Sequence, residues 1–380
     1  MNAIELFAGA GGLGMGLSRA GFAPELVLEW DADCCDTLLE NQRRRVSPLV
    51  QWPIFKGDVR LEDFRRFEDK VDLVSGGPPC QPFSLGGRHR ASNDTRDMFP
   101  QAVRAVREVR PKAFVFENVK GLKRASFTNY FQYITLQLSH PNLVKRADEA
   151  WEDHLKRLER FESGGGTRDL NYRVLTELLN AADYGIPQRR ERVFFVGIRA
   201  DIKADWCFPS PTHADAALAH AQNGGDYWDQ YKVPSKLRRA ARSASRERPL
   251  LKPWRTVRDA ISDLPDPERK PFESSILLNH KLQKGARAYP GHTGSPLDEP
   301  AKTLKAGVHG VPGGENMLLK PDGSVRYFTV RESARLQTFP DHFHFQSSWT
   351  ESMRQLGNAV PVDLACCIGN SLREKLEALP

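Results

Sequence analysis

The chain has 380 residues, of which 40% are hydrophobic and 27% charged, and carries a formal net charge of +7. That is enough chain for a well-buried core in one large domain or two, and no apolar run approaches the roughly 18 residues needed to span a bilayer. Residues 1–7 lack the basic and apolar stretches of a signal peptide, so a cytoplasmic protein is expected.

Along the chain, strands and helices alternate. Residues 4–7 form a short apolar run ending in a Gly-rich turn. Residues 13–20 have helical spacing, and 26–28 make a second strand ending at Glu29. A further strand at 71–74 is stopped by Gly76-Gly77-Pro78-Pro79. A helix is expected over 102–109, a strand over 113–116, a helix over 172–179 and a strand over 193–197. This alternation predicts a mainly parallel sheet covered on both faces. Between 123 and 169 the pattern changes. Ala147, Trp151, Leu155 and Leu158 recur at helical spacing before Gly164-Gly165-Gly166, which reads as an inserted helix with a flexible exit. From about residue 200 the alternation fades, Pro and Gly rise, and a second, loop-rich domain is expected. Helical patterning returns near 331–336 and over 362–379. The expected division sets 1–199 with 346–380 against 200–345.

The six cysteines comprise two adjacent pairs, Cys34-Cys35 and Cys366-Cys367, and the separate Cys80 and Cys207. No CxxC occurs, so zinc-ligand spacing is missing and no metal is expected. Between 236 and 258 lie nine Lys and Arg residues, Arg238, Arg239 and Arg242 among them, against the single acid Glu247. A run this one-sided suits phosphate contact better than a solvated charged face.

Several strand ends carry residues with chemistry. At the first, Phe7-Ala8-Gly9-Ala10-Gly11-Gly12-Leu13 lets backbone approach a ligand closely, and the helix N-terminus that follows favours polar or anionic groups. Glu29 ends the second strand, where a carboxylate accepts hydrogen bonds from a ribose. Together they point to a nucleoside cofactor without saying which. A GxxxxGK loop for ATP hydrolysis is missing. Cys80 follows two prolines that restrict the backbone. A thiol at the carboxyl edge of a parallel sheet sits where ligands bind and is a candidate nucleophile. Ser84, Arg88 and Arg90 follow in a basic loop able to close on a substrate. Glu117, after the strand at 113–116, can handle a proton, and Arg190 and Arg192 suit a base carbonyl or a phosphate.

Taken in order, these residues form a recognisable set. Phe7-Ala8-Gly9, Pro78-Pro79-Cys80-Gln81, Glu117-Asn118-Val119, Gln188-Arg189-Arg190-Glu191-Arg192, the stretch 331–337 and Gln355-Leu356-Gly357-Asn358-Ala359-Val360-Pro361, with Gly57-Asp58 as a further short motif, strongly resemble the DNA (cytosine-5)-methyltransferase family of bacterial restriction–modification type. The resemblance runs from residue 4 to about 369 and is patchy from about 200 to 327. It implies the α/β fold of S-adenosylmethionine-dependent methyltransferases, Rossmann-like with a mainly parallel sheet, and a smaller loop-rich target recognition domain.

The resemblance also implies a mechanism. The Cys80 thiolate would attack C6 of a cytosine flipped out of duplex DNA. Glu117 would hold the exocyclic amine and N3, and Arg192 would assist at the base with Arg190 in support. For S-adenosylmethionine, Phe7 and Trp30 would cover the two faces of the adenine, and Gly9, Gly11 and Leu13 would form the methionine-side turn. Glu29 would accept from the ribose and Asp58 would read the adenine amine. Ala8, Val59, Pro78, Met98 and Asn358 would complete the pocket. Ser84, Arg88, Arg90, Arg238, Arg239 and Arg242 are the expected DNA contacts. A cognate restriction endonuclease is the expected genetic partner of a monomeric enzyme. One departure is the long gap between the Glu117 and Gln188 motifs, which holds the inserted helix and has no assigned role.

Three other readings compete. The same chemistry could act on tRNA, but a sizeable recognition domain favours DNA. A NAD-dependent oxidoreductase rests on GxGxxG alone and leaves Cys80 and the later motifs unexplained. A non-catalytic DNA-binding regulator is at odds with intact Cys80, Glu117 and Arg192.

Overall fold

The computed structural model describes residues 1–79, 97–166, 170–238, 249–290, 292–306 and 316–378. The chain divides into two compact units. One comprises Met1–Leu179, Glu191–Phe208 and Ala365–Pro380, and the other Asn180–Arg190 and Pro209–Leu364. Residues 346–364, expected with the sheet, fall in the second unit. There the Gln337 side-chain amide donates to the carbonyls of Leu356 and Ala359 and ties them to the preceding helix.

The first unit is built on a seven-stranded sheet of β1 (Asn2–Leu6), β2 (Ala23–Glu29), β3 (Ile54–Lys56), β4 (Leu73–Gly76), β5 (Ala113–Val119), β6 (Tyr172–Asn180) and β7 (Glu191–Arg199). The spatial order is β3-β2-β1-β4-β5-β7-β6. Helices α1 (Gly12–Arg19), α2 (Ala32–Arg43), α3 (Phe99–Val109), α4 (Thr128–Ser139) and α5 (Trp151–Ser163) belong to the same unit. From β3 to β5 the neighbours run parallel. Strands covered on both faces read as apolar runs, and Ile4, Leu6, Leu73, Val74 and residues 113–116 are all buried. The C-terminal helix Val362–Glu377 packs closely on α1, because a Cβ on Gly369 would stand 2.7 Å from that of Ala20.

Two features differ from the sequence-based expectations. Strand β7 runs antiparallel to β5. Residues 172–179 form β6 and not a helix. Leu175, Leu178 and Leu179 mimic a helical stripe, but Tyr172, Val174 and Thr176 turn inward while Arg173, Leu175 and Glu177 are exposed. That period of two, with β-branched and aromatic residues on the inner face, is a strand's. The inserted α5 is present, and α4 precedes it. Trp151 meets Tyr130 of α4 edge-on at 5.6 Å. His154 is buried between the Tyr133 hydroxyl at 2.9 Å and the Leu143 carbonyl at 2.7 Å, so it is a satisfied core histidine.

The second unit has short elements, among them a sheet of Ser295–Pro296, Met317–Leu319 and Val325–Tyr327. Its helix Val330–Leu336 starts with a capping box in which Thr329 and Glu332 satisfy each other's backbone N–H groups. The buried Glu332 carboxylate also takes both terminal nitrogens of Arg326, at 2.7 and 2.6 Å. Arg331, fully buried, donates to the carbonyls of Leu278, Pro340 and Phe343. Residues 331–337 therefore brace this unit. Among the described residues no helix is long and apolar enough to cross a membrane.

Breaking a buried ion pair from one side strands the other charge, whereas neutralising both sides does not. Arg326→Met is expected to lower the unfolding free energy by about 3 kcal/mol, read from a urea titration. Adding Glu332→Gln, which keeps the cap acceptor, should recover most of that loss. Equal losses in the two proteins would contradict this account of the helix start.

Candidate active site

Adjacent parallel strands β2, β1 and β4 end on one edge of the sheet, where ligands of α/β proteins bind. β1 leaves the sheet through a sharp turn, with Phe7 and Gly9 both at φ 54° and Gly11 at φ 83° opening α1. A Cβ on Gly9 would have no atom within 4 Å, so the turn fronts open space. Ala8 donates to the Leu28 carbonyl and accepts from Gly11, and Leu13 anchors the first turn of α1 in the core.

Glu29, at the end of β2, fastens this turn. One carboxylate oxygen accepts from Gly9 N–H at 2.7 Å, and the other from Trp30 and Asp31 N–H at 2.9 and 2.8 Å. Burial raises the carboxyl's pKa, against the pull of these backbone donors. Beside it the Trp30 side chain is 69% exposed, a bare aromatic surface next to a buried acceptor. At the end of β3, Asp58 accepts from Arg60 N–H and pairs with the Arg60 guanidinium, which holds its carboxyl below the usual range. Val59 is buried in the core, and its carbonyl accepts from Arg104 at 2.6 Å. Phe7 and Met98 are half-buried against that same core.

A second group of residues surrounds the exit of β4. A Cβ on Gly76 would lie 2.4 Å from the Leu6 carbonyl oxygen, so only glycine lets β4 end this close to β1. The next residues are held from β5. The Asn118 amide donates to the Pro78 carbonyl at 2.9 Å, and Gly77 faces Glu117, whose Oε2 lies 3.4 Å from where a Cβ would stand. Met98 N–H donates to the Pro79 carbonyl at 3.0 Å, so the chain leaves at Pro79 and returns beside it. Glu117 lies within β5, not after it as expected. The antiparallel register sets Arg192 of β7 opposite Val119, two positions along the same face. Arg192 Nε is 2.8 Å from Glu117 Oε1, with both side chains largely buried. Burial lowers the pKa of Arg192, and Glu117 opposes that shift.

Not every expected residue joins these groups. Cys80, Ser84, Arg88, Arg90, Arg239 and Arg242 lie outside the described residues. Arg190, expected beside Arg192, belongs to the second unit and is wholly buried, donating to the carbonyls of Gly357 at 2.8 Å and Leu304 at 3.4 Å. Its guanidinium braces backbone, which leaves it no access to a base. Arg190 precedes β7 and belongs to the segment 180–190 of the second unit, whereas Arg192 lies within the strand, so the two do not share surroundings. Asn358 is also in the second unit, exposed at the end of the helix Trp349–Asn358. Arg238 is engaged by Asp229 at 2.7 Å and the Val233 carbonyl at 2.9 Å, and Arg258 by Asp298, so these two members of the basic run hold structure. Sequence reasoning gave no role to Asn118 or to Glu5, although a lone acid inside Ile4-Glu5-Leu6 was a signal.

Comparisons with known proteins identify the family. The family model described as C-5 cytosine-specific DNA methylase matches residues 1–142 and 167–374. The unmatched stretch contains α5. The Type II methyltransferase M.PspPI of Psychrobacter sp. is 33% identical over 387 residues, spanning 99% of this chain and 80% of that protein. M.Eco47II of Escherichia coli, also a Type II methyltransferase, is 30% identical over 385 residues, spanning 99% and 79%. Among solved structures, the S. pombe Dnmt2 methyltransferase superposes with a TM-score of 0.59 over 99% of both chains; at 17% identity it speaks for the fold alone. The chain thus belongs to the C-5 cytosine-specific DNA methylase family, and its activity is that of a DNA (cytosine-5)-methyltransferase.

Proposed function

We propose that the enzyme methylates carbon 5 of a cytosine flipped out of a specific duplex sequence, through a covalent bond between Cys80 and C6, as the modification partner in a restriction–modification system. The observation that carries this reading is the fastening of the β4 exit beside a buried ion pair. Asn118 ties the Pro78 carbonyl to β5 next to Glu117 and Arg192, two residues before Cys80 in the chain.

The residues at the sheet edge fit an adenosyl cofactor. Gly9 fronts open space, Glu29 is a buried acceptor suited to a ribose hydroxyl, and Trp30 and Phe7 offer rings for an adenine. When bound, S-adenosylmethionine supplies an electrophilic methyl group at its sulfonium. Phe7, Gly9, Gly11, Leu13, Glu29 and Trp30 would hold it, with Asp58, Val59, Pro78 and Met98 around the adenine.

Carbon 5 of cytosine is a poor nucleophile. The Cys80 thiolate remedies this by adding to C6, which turns the C4–C5–C6 system into an enamine. Glu117 holds a proton at N3 and so draws the added charge out of the ring, while Arg192 keeps the Glu117 side chain in place. Loss of the C5 proton to a base and expulsion of the Cys80 thiolate restore the aromatic ring. Unpairing the target costs a few kcal/mol, and cations of the 239–248 stretch would offset this by contacting phosphates. The chain's Type II relatives support the restriction–modification role.

Base-resolution mapping of 5-methylcytosine in cells expressing the wild type or Cys80→Ala tests the reading. Wild type should mark cytosines within one short motif and the variant none. Marks from the variant would remove Cys80 from the mechanism. If neither protein marks DNA, methyl transfer to purified tRNA becomes the next assay. Separately, Arg239→Glu with Arg242→Glu should reduce the slope of log affinity against log salt by roughly 2, about one unit per lost phosphate contact. An unaltered slope would place that pair away from DNA.

A further inference from the structure

Glu5 has no part in the chemistry above, yet it sits between the two groups of residues that do. It is an acid on β1, flanked in the sheet by β2 and β4, and only 3% exposed. Buried carboxyls persist where they have partners, and Glu5 has partners on two sides. The parallel register sets Ser75 of β4 directly beside it. The Ser75 hydroxyl is bonded to both the Glu5 carboxyl and the Ile4 carbonyl. From α1, the Gly14 N–H donates to Glu5. That N–H belongs to the first turn, whose amides have no acceptor within the helix. The N-cap is Gly11, which makes no side-chain cap bond. Glu5 therefore caps α1 from the neighbouring strand. The space around it is closed: a Cβ on Gly14 would stand 2.9 Å from the Trp52 ring and 3.4 Å from the Glu5 side chain. Burial pushes the Glu5 carboxyl up to about 8, against the pull of Ser75 and Gly14. A neutral carboxyl can accept from Gly14 while donating to Ser75, which leaves the hydroxyl proton for the Ile4 carbonyl.

We propose that Glu5 is a positioning residue that fixes the first turn of α1, and with it residues 9–11, for the methionine end of S-adenosylmethionine, and couples that turn to β4, the strand leading to Cys80. This rests on the cofactor reading given above. A cap supplied from β1 makes the shape of the turn depend on the sheet and not on the glycines, which by themselves would leave it loose.

Calorimetric titration of S-adenosylhomocysteine into wild type, Glu5→Gln, Glu5→Leu and Ser75→Ala tests the proposal. Gln keeps an acceptor for Gly14 and a donor for Ser75, so its affinity should lie within about twofold of wild type. Leu has neither and should bind about tenfold more weakly, the size of a lost helix cap. The loss should appear in KM for S-adenosylmethionine and not in kcat. Ser75→Ala should fall between, and it carries the test if the Leu variant does not fold. Wild-type affinity in the Leu variant, or in Ser75→Ala should Leu not fold, overturns the proposal. So does a Gln variant as weak as Leu, or a defect confined to kcat. A wild type that does not take up S-adenosylhomocysteine would instead overturn the cofactor reading.

Discussion

The Glu117 carboxylate is buried within β5, and Arg192 meets it across the β5–β7 pair at 2.8 Å. Burial penalises each charge alone, and removal of one partner would strand the other. The pair therefore requires β7 to lie beside β5 in a register that puts residue 192 opposite residue 119. A parallel neighbour would approach from the opposite direction and deliver a different part of the loop to this edge. The antiparallel strand, an exception in an otherwise parallel run, is thus the feature that makes the carboxyl edge of β5 an electrostatically defined place. Asn118 extends the same constraint to the exit of β4 by holding the Pro78 carbonyl.

The cofactor edge is organised by an equivalent device. Glu29 collects three backbone N–H groups, one of them from Gly9. Two acids with different tasks therefore stand on β2 and β5, with β1 and β4 between them. Glu29 is held by backbone dipoles and shapes a turn, while Glu117 is held by a guanidinium and faces the β4 exit. Their partners make the difference, since both side chains are mostly buried. The second unit solves its own burial problem with side-chain bonds to backbone. Gln337, Arg331 and Arg190 each bridge carbonyls that short elements leave unpaired.

Much of this was legible in the sequence, for identifiable reasons. β1, β2, β4 and β5 are apolar runs closed by Gly, Pro or a charged residue, and each was placed within a few positions. Glu29, Glu117 and the Gly-rich turn followed, because a strand end announces its own carboxyl edge. The misreadings have physical causes. β6 carries leucines at helical spacing, and only its alternation of inner and exposed residues, which pairing decides, marks it as a strand. The direction of β7 is not encoded in its own residues but in the length of chain before it. Arg190 and Arg192 are near neighbours in one motif, yet one braces carbonyls in the second unit and the other pairs with Glu117. Glu5 was passed over because its partners, Ser75 and Gly14, come from 70 and 9 positions away and meet it only in the folded sheet.

The covalent step proposed for Cys80 has a direct test. Release of Cys80 requires the C5 proton to leave, and fluorine at C5 cannot leave in that way. A duplex carrying 5-fluorocytosine at the mapped target should therefore remain attached to the protein when S-adenosylmethionine is present. Denaturing electrophoresis should show a DNA-linked band for the wild type and none for Cys80→Ala. A wild type that methylates the ordinary duplex yet never forms that band would contradict the covalent mechanism.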